Sequence, residues 1–283
     1  MQNYNEHPFY QPMDLENIFS KTWEVYKKNF GWLFLYSFLG ILLLQMLMYY
    51  TQFQQLFDLN YISNMESLGG FFGNLILFGI ILFIGYAILY LFIHYFIIYR
   101  EIEPEKSHLI FLGDSVRKYA LTYLVTILLV FFILIAGAIL GLIAFIIGSF
   151  IAVLYFGAVF FPISPLVIVE KTNPFESISR SFRLVHTNFW PTLGYIVLLY
   201  IILMVISLVL GAITMAPFAV DFFKLLNPNA VVEMLESGEP ILSKIISPGY
   251  ILLSSVANAI TFPVVPIFAV LVYFNLRYKE DHR

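Results

Sequence analysis

An all-α, polytopic membrane protein is the fold class this sequence predicts, and three observations predict it. Hydrophobic residues fill 60% of the 283 positions and charged residues only 12%, with a mean hydropathy of +0.86, which is too little polar surface for a soluble domain. The charges are clustered, so that residues 29–57, 67–99, 119–169, 187–220 and 245–276 carry none. Each run reaches the length of about 20 residues that crosses a ~30 Å hydrocarbon core, and 119–169 is long enough for two crossings. The runs are continuously apolar, whereas the strands of a membrane barrel alternate with period two.

Taken in order, residues 1–13 read as a polar cytosolic tail, with neither the basic start nor the apolar core of a signal peptide. Residues 14–283 read as one membrane domain with helices over roughly 30–51, 71–98, 119–143, 146–169, 189–216 and 250–276. The third and fourth are expected to join in a tight turn near Gly148 and Ser149. On the third, Gly137 and Gly141 form a GxxxG pair that lets another backbone approach closely, most simply within the chain.

Two of these helices are preceded by the same basic, aromatic stretch. SKTWEVYKKNF at Ser20–Phe30 returns 159 positions further on as SRSFRLVHTNF at Ser179–Phe189. In the first copy Leu15, Ile18, Phe19, Thr22, Trp23 and Tyr26 recur at helical spacing, with Glu16, Lys21, Glu24, Lys27 and Lys28 elsewhere. In the second, Asn173 is placed to cap, Pro174 suits the first helical position, Glu176 can return a capping bond, and Phe175, Ile178, Phe182, Val185 and Phe189 form the apolar face. Both are expected as amphipathic interfacial lead-in helices. Lys21, Lys27, Lys28, Arg180 and Arg183 would lie among anionic phosphates, and Trp23 and Phe182 at the acyl boundary.

A second echo, FPISP at Phe161–Pro165 and FPVVP at Phe262–Pro266, marks the fourth and sixth helices. Pro162, Pro165, Pro263 and Pro266 cannot donate to the carbonyls of Ala158, Phe161, Ala259 and Phe262, so both helices are expected to bend and to lie inside the bundle. The two echoes suggest three parallel hairpins, over about 14–100, 101–170 and 171–283, although DSVRKY at Asp114–Tyr119 matches the lead-in stretch only weakly. Thirteen of fifteen Lys and Arg lie in the tails and even-numbered connections; only Lys224 and Lys244 fall on the other side. Both ends are therefore expected in the cytosol.

These motifs carry a resemblance. The lead-in stretch ending in Lys-Asn-Phe, the double-proline helix running into VIVEKTNPFESISRSFRLV, and the last helix ending in VYFNLRYKED resemble the bacterial YciC-like group of membrane proteins. They are also similar to the membrane domain that accompanies glycerophosphodiester phosphodiesterase in some proteins. The resemblance spans nearly the whole chain and implies a multi-pass protein of the bacterial cytoplasmic (inner) membrane. It implies no hydrolysis, because no His-Arg pair leads a catalytic domain here.

Independent chemistry is sparse. No P-loop, dinucleotide fingerprint, HExxH or GxSxG is present, there is no cysteine, and four of the five histidines lie in cytosolic segments, so no enzyme and no cofactor are expected. Glu101, Glu103 and Glu105 in REIEPEK offer a cation site against the plainer reading of a solvated loop, and the plainer reading is preferred. His94 and Asn258 are the intramembrane polar groups, read as hydrogen-bonded structural residues ahead of a relay or a site. The expectation is a non-catalytic scaffold or accessory factor that contacts anionic lipid and partner membrane proteins, without nucleic acid. The alternative is a transporter or lipid-translocating protein with a polar cavity near the FPxxP bends.

Overall fold

The structure, a computed structural model, describes residues 4–50, 68–105, 107–219 and 247–283. The expected long connections over 52–70 and 217–249 lie mostly outside the described residues, and with them Lys224 and Lys244. Among the described residues the chain forms helices and no strands: α1 Leu15–Tyr50, α2 Leu68–Arg100, α3 His108–Gly141, α4 Phe145–Phe160, α5 Ile163–Glu170, α6 Pro174–His186, α7 Phe189–Met215, α8 Pro248–Thr261 and α9 Val264–Asp281. Among the described residues six stretches are long and apolar enough to cross a membrane, with α4–α5 and α8–α9 each forming one. The protein is an all-α, multi-pass membrane protein.

Both double-proline helices break at the same register. α4 ends at Phe160 and α5 restarts at Ile163, while α8 ends at Thr261 and α9 restarts at Val264, each across a two-residue turn at Phe-Pro. The second proline of each motif, Pro165 or Pro266, then occupies the first turn of the restarted helix, where an N–H has no intrahelical acceptor to lose. Both restarted helices are buried, α5 over Ile163–Val169 and α9 over Pro266–Leu276. Two carbonyls before the first break take donors other than those of a continuous helix. Ala158 O accepts Phe161 N–H at 3.4 Å, whereas Val159 O, left without a helical donor by the break, accepts Ser181 Oγ at 2.6 Å.

The packing divides into two compact units. The first comprises Met1–Leu33, Ala87–Ile202 and Pro263–Arg283. Its α3 and α4 form an antiparallel hairpin whose turn lies over Leu142–Ala144 and not at Gly148 and Ser149 as expected. Those two residues instead sit on α4 against α3. A Cβ on Gly141 would meet Gly148 O at 2.5 Å, and Ser149 Oγ donates to Ala138 O at 2.7 Å. The small residues are thus a packing surface, and the GxxxG contact is internal.

The first unit also takes up the N-terminal residues expected as a tail. The His7 ring stacks on Phe274 with centroids 4.3 Å apart, Phe9 is 1% exposed, and Met13 N–H donates to Asn275 Oδ1 at 2.9 Å. His7 Nδ1 accepts Phe9 N–H at 3.1 Å, so Nε2 is the protonated nitrogen and donates to Ile98 O at 2.9 Å. Polar composition misled here because one histidine and one phenylalanine suffice to dock the segment.

The second unit comprises Phe34–Tyr86 and Leu203–Phe262. In it Gly85 leaves room for the Leu44 side chain, and Gln45 Oε1 accepts from Ser254 Oγ and Ser255 Oγ, both at 3.0 Å, tying α1 to α8.

Candidate functional site

The first candidate is a charge cluster built from the ends of α5 and α9, from α6 and from the N-terminal segment. α5 closes on Lys171 in the left-handed conformation, φ 55°, which turns the chain toward α6. α6 then starts as expected: Asn173 Oδ1 accepts Glu176 N–H at 3.0 Å with Pro174 at the first position, and Asn173 Nδ2 donates to the Glu176 carboxylate at 3.2 Å. Its buried face differs from the expected aromatic one. Ser177, Ser181, Leu184 and Val185 turn inward while Phe175 is exposed, because serines admit the close approach that lets Ser181 reach Val159.

That approach carries Arg180 into the cluster. Its Nε donates to Glu170 Oε2 at 3.0 Å and its two terminal nitrogens grip the Glu280 carboxylate, one at 2.6 Å. Glu280 also accepts from Arg277 Nη1 at 2.5 Å, and Glu170 Oε1 accepts the Tyr273 hydroxyl at 3.0 Å. Tyr10 donates to Asp281 at 2.9 Å, and Arg277 donates to the Tyr4 hydroxyl. The Glu280 carboxylate, then Glu170, hold the Arg180 guanidinium above its ordinary value despite burial. Burial first, then the Asp281 carboxylate, pushes the Tyr10 phenol up to about 12.

Arg180 was expected among lipid phosphates; its side chain is 11% exposed and its donors are directed at carboxylates. The other lead-in residues divide. Lys21 pairs with Glu24 and Lys28 with Glu101, each at 2.8 Å. Lys27 lies 5.1 Å from the Trp23 ring centre, with Trp23 56% exposed, and Arg183 is exposed. Phe182 turns toward protein, edge-on to Phe160 at 5.2 Å and stacked on His186 at 5.8 Å. Glu101 is thus engaged by Lys28, and among the described residues no three acids or histidines are placed to share a metal.

Of the intramembrane polar groups, His94 is 2% exposed and donates from Nδ1 to Tyr90 O at 2.8 Å, leaving Nε2 as a bare acceptor with no hydrogen-bond partner among the described residues. Asn258 borders the second candidate, an open recess of about 360 Å³ in the second unit, lined among others by Ser207, Thr214, Tyr250, Ser254 and Thr261. Thr214 and Thr261 bond back to the carbonyls of Leu210 and Asn258, but the exposed Asn258 amide makes no side-chain hydrogen bond to a described residue. It lies ten residues, about 15 Å of helix, beyond Pro248, close to the middle of a crossing.

Sequence reasoning did not assemble Glu170, Tyr273, Arg277, Glu280 and Asp281. A signal existed, since Glu170 and Arg277 are the first charges after the uncharged runs 119–169 and 245–276 and so reach the same membrane boundary. Comparison of the chain with known protein families, curated proteins and solved structures found no match.

Proposed function

We propose that the protein is a non-catalytic scaffold or accessory factor of the bacterial cytoplasmic membrane, of the YciC-like kind its motifs resemble, with both ends cytosolic and with membrane proteins and anionic lipid as partners. The observation that carries the reading is the Asn258 amide, exposed in an open recess ten residues into α8 and without a side-chain hydrogen bond to any described residue. An amide left unpaired in hydrocarbon costs several kcal/mol, and a polar side chain of another membrane helix satisfies it. The lipid part rests on Lys27 and Arg183, and on Trp23, Trp32 and Trp190, which are 56%, 45% and 77% exposed and match an interfacial belt.

The test places a photo-crosslinking amino acid at the exposed Leu208 in native membranes. A discrete protein adduct that disappears on Asn258→Leu is expected; lipid adducts alone in both chains would overturn the scaffold reading. The translocation reading draws on a different feature, the position of Thr261 at the recess edge directly before the Phe262-Pro263 break. It requires Asn258→Cys to react with a membrane-impermeant thiol reagent from both sides in turn, whereas a scaffold leaves that cysteine unreactive.

A further inference from the structure

The turn joining α3 and α4 is unlike any water-facing loop. Over Ile127–Leu154, 28 residues, Ser149 is the only polar side chain, and its hydroxyl is spent on Ala138 O. At the tip Leu142, Ile143, Phe145, Ile146 and Ile147 are 58%, 83%, 83%, 81% and 72% exposed. The connections over 52–70 and 217–249, expected on the same side, instead carry Asp58, Glu66, Asp221, Glu233, Glu236 and Glu239. Phe145 also sits at φ 61°, ψ −167°, a region that suits glycine, so the phenyl ring is kept where the backbone would favour its absence.

Two constraints fix the depth of this tip. Five large apolar side chains favour acyl chains over water, at about 25 cal/mol for each Å² withdrawn. The non-helical backbone of the turn has polar groups that pure hydrocarbon cannot satisfy, which keeps it from the bilayer centre. Helix length agrees with both: the 23 steps from Lys118 to Gly141 rise about 35 Å, just past a hydrocarbon core of ~30 Å and inside a bilayer of roughly 40–45 Å. We propose that the α3–α4 tip, over Gly141–Phe150, is a lipid-contacting wedge seated in the ester and headgroup layer of the far leaflet and not in the water beyond it.

The absence of cysteine makes the test direct. Ile143→Cys and Ile146→Cys, with Asn64→Cys as the aqueous reference, are reconstituted in vesicles of phosphatidylcholine and phosphatidylglycerol. An impermeant maleimide is supplied to both faces, and separate samples carry an environment-sensitive fluorophore with spin-labelled lipids. The wedge predicts labelling at 143 and 146 about tenfold slower than at 64, blue-shifted emission, and stronger quenching by a label near the headgroup than by one at the acyl terminus. Labelling as fast as at 64 would overturn the proposal by placing the tip in water. Stronger quenching by the deep label would overturn it by placing the tip in the core, and slow labelling without quenching would overturn it by showing that protein covers the tip.

Discussion

The two copies of the basic, aromatic stretch begin alike and end differently. Ser20–Phe30 lies inside α1, one unbroken helix of 36 residues, whereas Ser179–Phe189 spans the end of α6, a turn at Thr187–Asn188 and the start of α7. The first copy is therefore not the separate interfacial helix expected. One residue accounts for the contrast: Pro191 stands at the position equivalent to Trp32, and proline has no N–H to donate to the carbonyl four residues back, with which its ring also clashes. The corresponding cations diverge as well. Lys21 finds a neighbour one turn along its own helix, while Arg180 finds Glu170 and Glu280 on other elements. A repeated motif thus preserves helix and position but leaves the partners of its charges to the surroundings.

Importing the difference should have the largest effect. Trp32→Pro would interrupt α1 as Pro191 interrupts the second copy, at a cost of about 3 kcal/mol, read as a lower unfolding midpoint in detergent. Next, Arg180→Leu leaves two carboxylates around an empty centre, and about 2 kcal/mol is expected after allowing for partial exposure. Adding Glu280→Gln should recover part of the loss in a double-mutant cycle, and simple additivity would show the pair to be uncoupled.

The segment ahead of the first copy offers a pH-dependent effect. Burial lowers the pKa of His7 from 6.5, against opposing contributions from the Ile98 carbonyl and Glu101. The released segment therefore binds a proton more readily than the docked one, so docking is unaffected above pH ~6.5 and weakens as pH falls below it. Hydrogen exchange over residues 4–13 should speed up on acidification and lose that dependence in His7→Gln. The smallest effect belongs to Lys21→Gln, within about 0.5 kcal/mol, since its ion pair with Glu24 is exposed. A loss comparable to that of Arg180→Leu would erase the contrast between the copies.

The crossings were legible because membrane helices are defined locally, by length and lack of charge, and the uncharged runs end close to where the helices do. The turn at Leu142–Ala144 was not, because glycine marks both turns and close helix contacts, and Gly148 serves the second purpose. The charge cluster was not legible residue by residue, since Arg180 and Glu280 lie 100 positions apart and neither alone announces a partner. Asn258 was recognisable as an intramembrane amide, but its exposure in a recess depends on the spacing of two helices that no single stretch encodes.

The docking of Met13 on Asn275 spans 262 positions. At ribosomal rates of about 5–20 residues per second, the N-terminal segment waits roughly 10–50 s between leaving the ribosome and the appearance of its seat. During that interval His7 and Phe9 have no α9 to pack against, so they are secured only after α9 has been made. A nascent-chain series in which α9 lies before or beyond the ribosomal exit should therefore show protease protection of residues 4–13 arising in one step, which makes this small plug a timer for the emergence of α9.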